Sequence, residues 1–300
     1  MDIKERLEAL RSLGNVPESV LQTNIYGLSK LESGWHIDNL DSIFESIDNI
    51  DGKDENYLKL SKAIIDSLQL AVFEIDDELD HLEKQSINEI LSSETMKIVN
   101  PARFYDRILE EAEKQPQILN RIIKSGRSYA REIGILAYTP AQYVKNSEAY
   151  NESREKNIEI KKLTDTQILR GSHLKVYFYS TIYLVDPNPN EKELENLAHL
   201  IECTRGIGDL IKDLHDLEND IKMGIYNPVH LIINKYKSSL ELEKIIKEDV
   251  QSVGRLLFEY INSTKINDSK YLISANGIKN RAANKLESLE EKLYEFILRV

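Results

Sequence analysis

The sequence predicts an all-α fold, on three observations. Apolar residues recur at three- and four-residue spacing almost throughout, the pattern of helices that each bury one face. Only 12 glycines and 7 prolines interrupt 300 residues. That is about half the usual share, and an all-β fold, which turns about every 8–12 residues, is excluded. Hydrophobic residues at 41% against charged residues at 30% suit a soluble chain with a real core rather than a disordered one.

The elements follow in chain order. The start, Met1-Asp2-Ile3-Lys4-Glu5-Arg6, is charged where a secretory signal has an apolar stretch, so a cytoplasmic protein is expected. Clusters of Pro, Gly, Asn and Asp near 15–17, 51–54 and 100–101 break the first helical stretches. Between the second and third of these, Leu68, Val72, Ile75, Leu79 and Leu82 line one face of an amphipathic helix. Further breaks fall near 139–140, 186–190, 226–228 and 267–269, and the charged segment 151–162 reads as a mobile loop. A second clear amphipathic helix carries Ile207, Leu210, Ile211, Leu214 and Leu217. Roughly eight to ten helices result, in one domain spanning residues 1–300 with no internal repeat.

Composition also bounds the partners. Charge-free apolar stretches such as 176–185 fall short of the roughly 20 residues a membrane span needs. No stable membrane insertion is expected. A net charge of −12 without a long basic run argues against nucleic acid or an anionic membrane as partner. The single cysteine, Cys203, allows neither an internal disulfide nor a cysteine-rich zinc site, which agrees with a reducing compartment.

Two acidic stripes carry the chemistry. In the first helix, Asp76 and Asp80 lie four apart on one face, with Asp77 beside them and Phe73 one turn earlier. The docking stripe is about 100° away, so these carboxylates border the core and suit a cation site. In the second helix, Asp209, Asp213, Asp216 and Asp220 stand at i, i+4, i+7 and i+11. Like charges at that spacing cost a few tenths of a kcal/mol per pair, a penalty that bound Mg²⁺ removes. Solvated acidic faces arising from composition are the competing explanation, weakened because both stripes flank apolar faces.

Together these stripes resemble the two metal motifs of the class I terpene synthases, in the wider isoprenoid synthase superfamily. Asp76-Asp77-Glu78-Leu79-Asp80 fits the family's DDxxD motif, and the second motif, NDxxSxxxE followed by Gly, is met with substitutions. Lys212 holds the Asn position, Asp213 the Asp, Asp216 the Ser and Asp220 the Glu, with Gly224 where the Gly is expected. The resemblance implies a single-domain bundle of roughly ten helices around a central cavity. It also implies Mg²⁺-dependent ionisation of an all-trans prenyl diphosphate, followed by carbocation cyclisation and release of diphosphate. Asp76, Asp77, Asp80, Asp213, Asp216 and Asp220 would hold the metal. Lysine does not ligate Mg²⁺, so either Asp213 or Asp209 supplies the missing ligand or fewer ions bind, and Lys212 can instead meet the diphosphate.

The family also has an arginine some forty-odd residues before the second motif, and Arg170 lies 42 residues before Lys212. Arg170 is followed by Gly171-Ser172, a weak point suited to a local helix break, with a surface salt bridge as the competing role for this arginine. The family often has an Arg-Tyr pair over the site near the C-terminus; no such dipeptide exists in this chain, and Arg281 is its stand-in for binding diphosphate. Cation-facing aromatics of the cavity would be Phe73 and Tyr177, then Trp35 and Phe178, with ordinary core packing as the competing role. Homodimers are common in the superfamily, so a homodimer is a state the resemblance allows.

Three alternatives remain open. Asp216 and Asp220, with Gly224, Tyr226 and Pro228 behind them, also resemble the second DxxxD motif of squalene and phytoene synthases, which keeps head-to-head prenyl transfer in view. His215-Asp216 is the dipeptide of HD-type phosphohydrolases, for which His173 and His199 are the further candidates. A non-catalytic helical scaffold is the third.

Overall fold

The computed structural model describes residues 37–55, 58, 156–186, 188–223 and 227–298. Their regular structure is helical, with no strand among the described residues. The helices are α1 (Ile37–Asp48), α2 (Lys156–Arg170), α3 (Ser172–Val185), α4 (Glu191–Met223), α5 (Pro228–Tyr236), α6 (Leu242–Ser263) and α7 (Leu272–Ile297). A 3₁₀ turn, Ser269–Tyr271, leads into α7.

The longest of them, α4, has 33 residues, about 50 Å at 1.5 Å per residue. It packs against each of the other six. Its first half buries residues around much of the circumference: Leu194, Leu197, Ala198, Leu200, Ile201 and Cys203 are all inaccessible. Its second half narrows to one apolar stripe of Ile207, Leu210, Leu214 and Leu217. The remaining circumference there is free to carry polar groups. Into the same core α1 inserts Ile43 and Ile47, and Ser274 of α7 donates to the Ser46 carbonyl at 2.7 Å.

Several expected breaks are present. The turn after α1 passes through Gly52, whose φ of 68° favours glycine. The 186–190 break is held by Asp186, which accepts from the Tyr271 hydroxyl at 2.5 Å and pairs with Lys270. At the start of α5, Asn227 caps the helix and Pro228 takes the first position. The chain also turns at 237–241, between α5 and α6, where the sequence shows only Lys237-Ser238-Ser239 as a signal.

The expected loop at 151–162 is corrected for its second half, because α2 begins at Lys156. Glu159, Ile160 and Leu163 are buried in it. What makes this charged segment a buried helix is tertiary: Lys235 of α5 pairs with Glu159, and the Tyr236 hydroxyl donates to it at 3.2 Å.

Between α2 and α3 the helix breaks at Gly171, the weak point behind Arg170. Its φ of −74° suits any residue. Space is what demands glycine: a Cβ would stand 2.7 Å from the Glu202 carbonyl oxygen on α4. The break therefore lies directly against the backbone of the central helix. Among the described residues no helix is long and apolar enough to cross a membrane.

Candidate functional site

The four aspartates of α4 run from the interior toward the surface. Asp209 and Asp213 are buried, Asp216 keeps 31% of its side chain exposed, and Asp220 is partly exposed. Carboxylates toward the C-terminal end of a helix oppose the macrodipole, which favours cations there. Asp220, in the last turn of α4, thus carries a second electrostatic penalty besides mutual repulsion.

Cations from two elements meet its buried end. Arg170, at the α2–α3 break, donates from Nη1 to Asp213 Oδ2 at 2.6 Å. The same nitrogen donates to Gln167 Oε1 at 3.2 Å, so Gln167 steadies the guanidinium from one turn earlier. Arg205 pairs with Asp209 at 2.8 Å across one turn of α4. Gln167 and Arg205 were not singled out in the sequence. Arg205 had a legible signal, lying four residues before Asp209, whereas Gln167 had none. Gln167 Nε2 and Arg205 Nε have no hydrogen-bond partner among the described residues, which leaves donor capacity at this interface.

Burial pushes the Asp213 carboxyl up from 3.8 to about 6, while the charge and hydrogen bond of Arg170 pull the other way. Its folded value lies above its unfolded one. The stability it supports is therefore full below about pH 4 and is lost as pH rises through about 6. For metal-free protein, Asp213→Asn is expected to abolish this dependence. Between about pH 4 and pH 7.5 the wild type should lose at most about 3 kcal/mol relative to the variant. A wild-type-minus-variant difference that stays flat in chemical denaturation across that range would contradict the assignment.

The outer end is organised differently. Burial also pushes Asp220 up, opposed first by a hydrogen bond donated from Asn227 Nδ2 at 2.8 Å. Asp216 lies 2.8 Å from His215 Nδ1 on the exposed side. Lys212 is partly buried and its charge lowers both Asp213 and Asp220. A lysine ammonium thus stands among the carboxylates at the point where the resemblance expects an amide.

The other predicted residues are distributed as follows. Asp76, Asp77, Asp80, Phe73 and Trp35 lie outside the described residues. Tyr177 is on α3. Phe178 is fully buried in the core, edge-to-face with Tyr179 at 5.8 Å between centroids. Arg281, on α7, is bonded by its Nε to Glu45 Oε2 of α1 at 2.6 Å. His199 lies 3.9 Å from Glu202 on α4.

The Mg²⁺ that the resemblance implies takes hard oxygen ligands and is commonly held by one or two carboxylates, waters and a phosphate. Asp216 and Asp220, partly exposed on one face, are donors of that kind. Among the described residues no group of three His, Cys, Asp or Glu is arranged to hold a metal. Against known proteins, the chain matches no family model, no curated protein and no solved structure.

Proposed function

We propose that the chain is a class I terpene synthase with the corresponding fold, a bundle of roughly ten helices around a central cavity, acting in the cytoplasm on an all-trans prenyl diphosphate. One observation carries this reading. Arg170, at a helix break pressed against α4, is bonded to a buried aspartate of a stripe whose outer members, Asp216 and Asp220, remain partly exposed. A structural ion pair needs one carboxylate; four on one face, graded from buried to exposed, suit a polyanion bound with cations. Bound Mg²⁺ would supply charge that stabilises a departing diphosphate.

The chain's own residues divide the remaining work. In the reaction the allylic C–O bond breaks and its electron pair leaves with the diphosphate. Arg170 and Lys212 present fixed positive charge to that developing anion, and fixed donors in a water-poor setting stabilise it more than water does. Asp216 and Asp220 hold the cation side of the pair, with Asp76, Asp77 and Asp80 proposed to face them. Asp213 keeps Arg170 oriented.

The test is incubation of the folded protein with Mg²⁺ and, separately, geranyl, farnesyl and geranylgeranyl diphosphates, measuring diphosphate release and extractable hydrocarbon. A cyclic hydrocarbon with stoichiometric diphosphate is expected, and its loss by at least about 100-fold in Asp216→Asn/Asp220→Asn. A coupled product of doubled length would assign the squalene-like reaction instead. Absence of release from all three substrates would overturn the reading.

A further inference from the structure

Asn227 joins the two ends of the candidate site in a way that capping alone does not require. Its side chain is buried and all four of its hydrogen-bonding positions are used. Oδ1 accepts from the backbone N–H groups of Val229 at 2.9 Å and His230 at 3.3 Å, which caps α5. Nδ2 donates to the Asp213 backbone carbonyl at 2.7 Å and to Asp220 Oδ2 at 2.8 Å.

The two halves of the amide serve different ends. Capping uses only the oxygen, and Asp or Ser supplies one about equally well. The two donated bonds are what only an amide adds at this position. They reach across to α4 and grip it at points seven residues apart, about two turns. One grip is on the backbone of the residue that Arg170 holds, and the other is on the outermost carboxylate of the stripe. A bond that served only to join α4 to α5 would need the carbonyl alone. The second bond fixes the rotation of a side chain that is otherwise partly exposed near the end of its helix.

We propose that Asn227 is a positioning residue that holds the Asp220 carboxylate in the orientation needed to take up a divalent cation together with diphosphate. This inference rests on the functional reading above and extends it to a residue outside both aspartate motifs. Residues that orient a metal's ligands change affinity by about 10- to 100-fold when removed, which sets the expected scale.

The discriminating variant is Asn227→Asp, which keeps a capping oxygen and removes both donated bonds. Full-length wild type and variant are titrated calorimetrically with inorganic diphosphate at a series of Mg²⁺ concentrations, and thermal unfolding is followed on the same samples. The half-saturating Mg²⁺ concentration should rise at least about tenfold, with binding recovered at high Mg²⁺ and a cooperative unfolding transition retained. A merely structural joint would lower the transition temperature without moving half-saturation of the folded protein. Half-saturation within twofold of wild type would overturn the proposal. Should Asn227→Asp not fold, Asn227→Ser keeps a capping hydroxyl and carries the same expectation. If neither variant folds, joining the helices is the residue's function and the proposal falls. A wild type that binds no diphosphate at any Mg²⁺ concentration would overturn the functional reading, and this inference with it. Wild-type binding with an unchanged variant would overturn this inference alone.

Discussion

Replacing Arg170 with methionine is expected to destabilise the protein by about 3 kcal/mol at pH 8, and by clearly less at pH 5. Asp213 keeps only 2% of its side chain exposed, so the substitution leaves a carboxylate without its cation in a place water does not reach. The cost has a ceiling, because the carboxyl can take up a proton. Arg170 is the first of the influences holding Asp213 down against burial. Without it the folded value rises above about 6, and stability that is full at low pH is lost as pH climbs through that higher value. Adding Asp213→Asn should restore most of the loss, since no buried charge then remains. The same double variant should still fail to bind Mg²⁺ with diphosphate, because the guanidinium and a stripe carboxylate are both absent. Denaturant unfolding at the two pH values, with calorimetric binding on the double variant, measures these separately. Equal destabilisation at both pH values would refute the electrostatic account. A double variant that binds diphosphate as wild type does would remove Arg170 and Asp213 from the site.

What the sequence made legible follows from how far apart the interacting residues lie. The α4 stripe was readable because i, i+4, i+7 and i+11 on one helix is local geometry. The break behind Arg170 was readable because Gly171-Ser172 is a poor helix continuation, although its cause, the carbonyl of Glu202, lies on another helix. The partner of Arg170 is 43 residues away, and periodicity does not say which helix a given face meets. Asn227 carried a local signal, an amide just before a proline at a helix start. That signal announces a cap and says nothing of the two bonds donated backward to α4. The part of the expected loop from 156 to 162 misled for the same reason, since charge along the chain reads as solvent exposure unless the opposite charge is seen. The stripe of Asp76, Asp77 and Asp80 lies outside the described residues.

That opposite charge leads to the second large effect, in Lys235→Met. Glu159 keeps 2% of its side chain exposed and Lys235 18%, and Asp249, also buried, lies close enough to act on the lysine. Burial lowers the Lys235 ammonium and the charge of Asp249 raises it, with burial the larger of the two. Removing the cation leaves the buried Glu159 carboxylate without its ion-pair partner, with the Tyr236 hydroxyl still donating to it. Breaking a buried pair from one side costs about 3–5 kcal/mol, far above the value of an exposed pair. In a chain of this size that corresponds to a fall of roughly 5–8 °C in the unfolding temperature. Methionine preserves most of the aliphatic packing of the lysine stem, so the loss reports charge rather than volume. Glu159→Gln/Lys235→Met should recover a large part of it, because an amide can stay buried without a cation. A single variant within about 0.5 kcal/mol of wild type would show that Glu159 is satisfied without Lys235. Because the cluster sits near the start of α2 and Arg170 at its end, about 16 Å away along the helix axis, both Glu159/Lys235 variants should bind Mg²⁺ with diphosphate as wild type does at temperatures where they are folded. The two buried ion pairs of α2 are thereby separable: one anchors the helix, and the other belongs to the proposed site.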